Sequence, residues 1–436
     1  MPRPLRDEVL PPDESCFAHL YNRCVQGTYL CGIDPATGKD YSHRKKWIVE
    51  RLEQLASVFL IDILAFAVLD NHLHVVVRTL PDEVKKLTDR QVAIRWLSLH
   101  PGWLLDEFVC VEPTEAQIKE LLADPEKIEQ IRRNLSSPST FMKDLCEPIS
   151  KRANKEDGRK GHFWEDRFQA QRLMDILAIL VCVAYVDLNL IRAAMASSLV
   201  GSNFTSIQAR ILGSQNQMAP SLALGKVSIC DAQGTENIED LSKAQLRRRI
   251  EAARKQAEPT MVLKDAWIAK LTIDANQSVN PNDSHLSKSG LRASDRGFLD
   301  MSLEQYIKIL YESLRYRPGN ASLQEPSEEL TEVSKTLGVA PENIRWMISD
   351  YRRIFRRSCR VGNPESMRKE AHRRGRKWTK YSRHSELFYS NKSVEFDVEN
   401  GRFRRAKNGV SRSESGGKSA ASPLGSSMVP SSNGTS

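Results

Sequence analysis

The sequence lacks any long hydrophobic run, and this absence limits where the protein can reside. Hydrophobic residues make up 40% of the 436 residues, and the longest apolar stretch is a strand-length run around Val75. A membrane-spanning helix needs roughly 18 consecutive apolar residues. Residues 1–6 (MPRPLR) also lack the apolar stretch of a secretory signal peptide. We therefore expect a protein with no membrane segment and a cytoplasmic location.

Closely spaced cysteines are also missing. The eight cysteines are spread over the whole chain, and none of them forms a pair with the spacing of a zinc knuckle or zinc ribbon. This pattern argues against a zinc-stabilised module. We expect reduced thiols that are mostly packed in the interior, because free cysteine behaves as a small buried hydrophobic residue.

Positive charge is abundant but concentrated. The formal net charge is +9, and residues 351–380 alone hold twelve Lys or Arg against only Glu365 and Glu370. The rest of the chain is therefore close to neutral. A basic segment of this kind predicts a polyanionic partner, with nucleic acid as the first candidate. A solvated charged surface is the alternative.

The length of the chain predicts more than one folding unit, since single hydrophobic cores stop growing beyond about 250–300 residues. We assign residues 1–212 to a first domain with a polar, helical insertion at 82–154. A linker rich in small and polar residues follows at 213–238, and a helical, basic region, 239–380, comes next. Residues 381–436 are expected to form a mostly disordered tail, because large apolar side chains almost disappear near its end.

Local patterns in the first domain predict a mixture of strands and helices. Loose alternation over 17–25 indicates a strand, and apolar residues at helical spacing over 43–58 indicate a helix. The apolar runs 59–68 and 72–78 are separated by a polar break at Asp70. They predict two strands that form a hairpin.

Further along, residues 168–174 predict a short strand and residues 176–195 a helix. The insertion carries two patterns typical of helix starts, in which a threonine precedes a glutamine by three residues. These capping boxes are Thr88 with Gln91 and Thr114 with Gln117.

Two histidines in the second hairpin strand form a candidate metal site. Residues two apart in a strand project from the same face, so His72 and His74 share one face while Leu73 lies on the other. Two adjacent imidazoles are half a metal site. By itself, however, a His-x-His pair in a strand is more often a packing or surface feature.

A tyrosine in the predicted helix 176–195 supplies a candidate nucleophile. Tyr185 and Asn189 are four residues apart and therefore lie on one helical face. An amide oxygen beside the phenol could complete a metal site. Taken alone, a tyrosine in an amphipathic helix is usually a core residue.

Three segments stand out in their order along the chain: residues 70–77 (DNHLHVVV), 161–168 (GHFWEDRF) and 185–193 (YVDLNLIRA). Together they resemble the single-tyrosine HUH transposases, in particular the REP-associated branch, and the resemblance covers about residues 15–212. One departure is visible at Leu190, where related sequences usually have proline. Loss of that proline should leave the helix intact.

The resemblance implies specific roles for the matching residues. Tyr185 would be the nucleophile, His72 and His74 would be metal ligands, and Asn189 would be a third ligand. Magnesium or manganese would be the metal. A tyrosine suits this chemistry because it forms a covalent intermediate that a later hydroxyl can reverse.

The resemblance also implies a fold and partners. The fold would be α+β, with a central antiparallel sheet flanked by helices in a ferredoxin-like HUH core, followed by the helical C-terminal region. Single-stranded or hairpin DNA would be the substrate, joined transiently to the enzyme through a 5′-phosphotyrosine link. The protein would form a homodimer.

Residues near the motifs are candidates for DNA contact. Arg167, Arg172 and Arg192 carry the charge that backbone phosphates attract, and Trp164 could stack on an unpaired base. Trp164 is an equally good candidate for a core residue.

The basic region contains a pattern with two interpretations. Apolar residues around Gly338, with Pro341 starting the next helix, match a helix-turn-helix whose second helix reads DNA. A plain helical hairpin fits the same pattern equally well.

Three functions of different classes compete. The first is a catalytic transposase or a related DNA-nicking enzyme, and the second is a DNA-binding regulator derived from a transposase without catalytic activity. A metal-dependent hydrolase of another substrate is the third. The joint presence of the two histidines, the tyrosine and the asparagine favours the first, because DNA binding alone needs none of them.

Overall fold

The computed structural model describes most of the chain. The described residues are 4–100, 112–221, 260–274, 285–316, 325–355, 358–377, 382–397 and 402–406, with a few isolated positions between 242 and 252. The strands are β1 (Phe17–Arg23), β2 (Ile61–Val68), β3 (His72–Thr79), β4 (Gln169–Leu173), β5 (Met218–Pro220), β6 (Met261–Leu263), β7 (Arg360–Val361), β8 (Val394–Asp397) and β9 (Arg402–Arg405).

Helices contain more of the described residues than strands do. In chain order they are α1 (Arg6–Val9), α2 (His43–Val58), α3 (Pro81–Lys85), α4 (Asp89–Leu99), α5 (Glu115–Leu122), α6 (Pro125–Asn134), α7 (Pro138–Glu156), α8 (Ile176–Asp187), α9 (Asn189–Arg192), α10 (Ser206–Ser214), α11 (Leu303–Arg315), α12 (Glu328–Leu337), α13 (Pro341–Ser349), α14 (Tyr351–Phe355), α15 (Pro364–Arg373) and α16 (Ser382–Phe388). None of these described helices is long and apolar enough to cross a membrane.

Five strands form a central sheet in the order β2-β3-β1-β4-β7. β2 and β3 form the predicted hairpin, and β1 pairs antiparallel with both β3 and β4. β7 is parallel to β4. The prediction of an α+β fold with a central sheet and flanking helices is therefore confirmed. The sheet was predicted to be antiparallel, and the parallel pairing of β7 with β4 departs from that prediction.

The two faces of the sheet have different covers, because side chains alternate along each strand. On β3, Leu73, Val75 and Val77 join a core with α2 and the helices between α4 and α7, where both predicted capping boxes are formed. His72, His74 and Val76 point to the opposite face. Most of that second face is covered by α8 and by helices from the second half of the chain.

α8 is apolar on all sides, and its surroundings explain why. Only Ile176 and Tyr185 of its twelve residues are not fully buried. The helix packs on β2 and β3 on one side and on α13 on the other. A helix that is hydrophobic all round is expected in such a position between two layers.

The second half of the chain packs closely against the predicted first domain. The buried carboxylate of Asp62 on β2 accepts hydrogen bonds from Ser294 and pairs with Arg78, at 2.6–3.0 Å. Arg78 also donates to the carbonyl of Gly297 at 2.9 Å. Of the predicted linker 213–238, the part beyond residue 221 lies outside the described residues.

The predicted disordered tail contains ordered elements. α16 and the β8–β9 hairpin lie after residue 381, and Phe388 and Val394 are buried. The side chain of Asn343 donates to the carbonyls of Phe388, Ser390 and Lys392 at 2.9–3.2 Å. The prediction is thus wrong for 382–397 and 402–406, where a few apolar side chains and one buried amide hold a polar segment in place. The other residues of that predicted tail lie outside the described residues.

The helix-turn-helix interpretation is also corrected. α12 ends at Gly338, whose φ is 64°, and α13 starts at Pro341, so the predicted hairpin forms. The side chains of α13 are buried on every side, from Asn343 through Ile348. A recognition helix needs an exposed face to enter a DNA groove. α13 therefore belongs to a plain helical hairpin.

Candidate active site

A cavity of about 750 Å³ lies where β1, β3 and β4 meet the helices of the second face. Its walls come from both halves of the chain and carry four of the eight predicted site residues. They are His19, Tyr21, Asn22, Arg23, Asn71, His72, His74, Glu165, Asp166, Arg167, Gln169, Gln171, Tyr185, Tyr351 and Arg352.

His72 and His74 both face this cavity, as the strand period requires. Their ring centroids are 5.0 Å apart and the rings are nearly perpendicular. Nδ1 of His72 lies 2.6 Å from Oδ1 of Asn71, which can only accept, so Nδ1 carries the hydrogen. The cavity-side nitrogen of His72 is then free to act as a ligand.

Burial keeps the two imidazoles neutral. It lowers the pKa of His72 to about 4, and the positive charges of Arg352 and Arg23 act in the same direction. Burial lowers the pKa of His74 well below its usual value, with His72, His19 and Arg352 adding to the effect. Neutral imidazole is the form that binds metal ions.

Tyr185 lies next to His74. Their ring centroids are 5.6 Å apart in an edge-to-face arrangement. Burial raises the pKa of the Tyr185 phenol, while the side chain of Asn189 and the charge of Arg352 oppose this rise. The phenol is therefore protonated at neutral pH.

Asn189 follows Tyr185 by one helical turn, but it does not line the cavity. The helix predicted over 176–195 is divided here into α8 and α9, and it stops at Arg192 because Ala194 adopts a φ of 56°. Asn189 is buried, and its Nδ2 has no hydrogen-bond partner among the described residues. Its side chain acts on Tyr185, yet it is not one of the cavity walls.

Sequence reasoning missed the histidine that contacts His74. Nε2 of His19 lies 2.9 Å from Nδ1 of His74, and Nδ1 of His19 lies 3.1 Å from Oε1 of Gln171. Burial lowers the pKa of His19 to about 4 against the opposing hydrogen bond to Gln171. Alternation along β1 puts His19, Tyr21 and Arg23 on one face, and this signal was available in the sequence.

The predicted DNA-contact residues separate into two groups. Arg167 is exposed on the cavity wall. Arg172 instead pairs with Glu14 at 2.7 Å, and Arg192 donates to the main-chain carbonyls of Ile348 and Ser349.

Trp164 also has a structural partner. Its indole nitrogen donates to the carbonyl of Cys146 at 3.1 Å, and its ring packs edge-to-face on Phe163. The structure therefore brings Arg167 to the site and holds Arg172, Arg192 and Trp164 in contacts within the protein.

Arg352 is the cationic side chain that the second half adds to the cavity. It is exposed on α14, and its charge acts on His72, His74 and Tyr185. No carboxylate pairs with it among the described residues. Other basic residues of the same segment are paired, as in Arg360 with Glu370 at 2.9 Å.

The donor set suits a metal ion only in part. Nε2 of His74 is buried without a hydrogen-bond partner in the described part of the chain, as an unfilled ligand position would be. Within those same residues, no group of three or more His, Cys, Asp or Glu is arranged to hold a metal. A metal at His72 and His74 would thus need a ligand of another type, such as an amide oxygen or water.

Comparisons with known proteins identify no family for this chain. No family model matches the sequence, and no curated protein matches it. The chain is similar to a solved structure of a REP-associated tyrosine transposase bound to a REP hairpin, at 11% identity and a TM-score of 0.26. The match covers 45% of this chain and 79% of that one. A TM-score this low supports no inference about the site.

Proposed function

We propose that this protein is a metal-dependent tyrosine DNA transposase that nicks and rejoins single-stranded or hairpin DNA through Tyr185. The observation that carries the proposal is the position of Tyr185 beside His74 in a cavity that also contains His72. Three arginines, Arg23, Arg167 and Arg352, line the same cavity. A tyrosine, two imidazoles and three guanidinium groups thus line one cavity, and this grouping supports the proposal.

The chemical step is a transesterification on Tyr185. The phenol loses its proton as its oxygen bonds to phosphorus, and the bond from phosphorus to the preceding 3′-oxygen breaks. That oxygen takes up a proton and leaves as a 3′-hydroxyl, while the 5′ end stays attached to Tyr185. Attack by a 3′-hydroxyl on this link reverses the step and rejoins the DNA.

The residues around Tyr185 would bind the metal and the DNA backbone. His72 and His74 would hold a magnesium or manganese ion, and the amide oxygen of Asn189 would be a third ligand. The ion would polarise the scissile phosphate and offset its developing negative charge. Asn189 is not among the residues that line the cavity, so its ligand role is the part of this proposal that rests on the sequence resemblance alone.

The test is a cleavage assay on single-stranded hairpin oligonucleotides with magnesium or manganese. We expect a covalent protein–DNA adduct on denaturing gels with the unmodified protein and none with Tyr185→Phe. Tyr311→Phe is the matched control, because Tyr311 is an exposed tyrosine on α11. If the protein and Tyr185→Phe bind DNA equally and neither forms an adduct, a DNA-binding regulator without catalytic activity replaces this proposal.

A further inference from the structure

A series of hydrogen bonds runs from the main chain at the end of α14 to His74, and its first link is Gln171 on β4. Nε2 of Gln171 lies 2.7 Å from the carbonyl oxygen of Phe355 and 2.8 Å from that of Ser358. Carbonyl oxygens only accept, so this end of the amide must be the nitrogen. Oε1 of Gln171 consequently faces His19, and it also accepts from the hydroxyl of Tyr351 at 3.2 Å.

The second link is His19, which is 2% exposed. An amide oxygen is a pure acceptor, so Nδ1 of His19 must donate to Gln171 across their 3.1 Å contact. A neutral imidazole carries one hydrogen, and Nε2 of His19 therefore has a free lone pair. His19 also stacks on His74 with ring centroids 5.0 Å apart, which fixes the orientation of both rings.

The last link reaches His74. Nε2 of His19 accepts, so Nδ1 of His74 must supply the hydrogen in the 2.9 Å contact between them. The other nitrogen of His74, Nε2, is then unprotonated. This is the atom that is buried without a partner in the described structure.

We infer that His19 and Gln171 are positioning residues that hold His74 in its Nδ1-protonated tautomer and keep its Nε2 lone pair available to a divalent metal. The carbonyls of Phe355 and Ser358 determine which atom donates and which accepts at each step of this hydrogen-bond series. Residues from the second half of the protein therefore determine which tautomer His74 adopts. The tautomer follows from the hydrogen bonds of two neutral imidazoles. Its use in metal binding rests on the proposed function.

This arrangement explains why an imidazole stands at position 19. A neutral imidazole that donates at one nitrogen must accept at the other. Because Nδ1 of His19 donates to Gln171, its Nε2 must accept from His74. A partner hydrogen bond of this kind orients a ligating histidine and raises its basicity. A phenyl ring at position 19 would keep the ring packing and lose the hydrogen bonds on both sides.

The direct test is the tautomer of His74 in protein labelled with nitrogen-15 histidine and kept free of metal. Two-bond nitrogen–proton correlation spectra distinguish the two neutral tautomers. We expect both His19 and His74 to carry hydrogen on Nδ1. In Gln171→Met, whose side chain cannot accept from His19, His74 should lose its single tautomer. In Tyr351→Phe it should keep that tautomer, because His19 still donates to Gln171.

A second readout is manganese affinity, measured by electron paramagnetic resonance of the free ion. We expect about 10–100-fold weaker binding in His19→Phe, as is typical when an outer-shell partner of a ligand is removed. Unchanged affinity in a His19→Phe protein that unfolds at the same urea concentration as the unmodified protein would overturn the inference. Hydrogen on Nε2 of His74 in the unmodified protein would overturn it as well.

The two proposals fail in different ways. If His74 has the expected tautomer and manganese binds, but no adduct with Tyr185 forms, the inference stands and the proposed function is wrong. If the adduct forms while His74 carries its hydrogen on Nε2, the proposed function stands and the inference is wrong.

Discussion

The ring of Tyr185 stacks on the ring of Tyr351, with centroids 4.8 Å apart and planes 19° from parallel. Tyr351 is fully buried and donates its hydroxyl to Gln171 at 3.2 Å. The orientation of the candidate nucleophile is therefore set by a residue from the second half of the chain. Without α14, Tyr185 would lose one wall of its surroundings and the cavity would lose Arg352.

Arg352 is expected to bind a DNA phosphate. Arg352→Gln should weaken binding of single-stranded DNA. It should also make the negative slope of log affinity against log salt less steep by about 1, because one phosphate contact is lost. Fluorescence anisotropy across a salt series measures both quantities. Lys369→Gln is the control, since Lys369 belongs to the same basic segment but pairs with Glu365 on the exposed side of α15. Equal salt slopes for the two variants would contradict the role of Arg352.

Arg192 is expected to serve the fold. Its guanidinium donates to the carbonyls of Ile348 and Ser349 at the end of α13. Arg192→Met leaves these acceptors without their donor, so the free energy of unfolding should fall by roughly 1–3 kcal/mol. Urea denaturation measures this loss. The slope of log affinity for DNA against log salt should stay unchanged in this variant. A slope that is less steep by about 1 would instead show that Arg192 contacts a DNA phosphate.

Adduct formation is expected to require a divalent metal bound at the histidine pair. EDTA should abolish the adduct because it removes the metal ion. Added manganese should restore the adduct, because neutral imidazoles bind metal without releasing a proton. His72→Ala should remove the manganese rescue. His162→Ala is the matched control, as His162 is exposed in a loop and does not line the cavity. Full activity of His72→Ala in manganese would exclude the pair as the metal site.

Glu370 is expected to hold the basic segment against the sheet. Its buried carboxylate contacts Nε of Arg360 at 2.9 Å and Nε of Arg373 at 2.8 Å. Burial raises the pKa of Glu370, but the hydrogen bond from Arg373 and the charges of Arg360, Arg373 and Arg172 outweigh it, so the pKa lies below its usual 4.5. The stabilisation is thus present above pH 4.5 and disappears as the pH falls through the lowered value.

Glu370→Gln should therefore lower the free energy of unfolding by about 3 kcal/mol at pH 7, since it leaves the buried guanidinium group of Arg360 without its carboxylate partner. The difference from the unmodified protein should shrink below pH 4.5. Urea denaturation at pH 7 and in acid measures both effects. Glu365→Gln, an exposed change on the same helix, should have little effect. A loss that is the same at both pH values would show that the charge of Glu370 is not responsible.

Elements with a strong local pattern could be predicted from the sequence. α2 has the predicted bounds of 43–58, and the β2–β3 hairpin turns at the predicted polar break. Both capping boxes form at Thr88 and Thr114. These features depend on residues only a few positions apart, so a single stretch of sequence contains all the information that they require.

The packing of the second half could not be predicted in this way. β7 is only two residues long, and it joins the sheet because β4 offers it a free edge. Asn343 looks like an ordinary helix residue, yet it holds the segment after α16 through three carbonyls. The charge run 351–380 looks uniform in the sequence, although Arg360, Arg373 and Arg374 form ion pairs whereas Arg352 faces the cavity.

The sequence by itself determined which candidate site residues share a face. The two-residue period of a strand places His72 and His74 together, and the 3.6-residue period of a helix places Asn189 one turn after Tyr185. Only the tertiary structure decided what faces them, because the order of the strands brings His19 beside His74 and Gln171 beside His19. The packing of α14 against α8 likewise brings Tyr351 onto Tyr185. Periodicity is a local property of the backbone, whereas these partners depend on contacts between segments far apart in the chain.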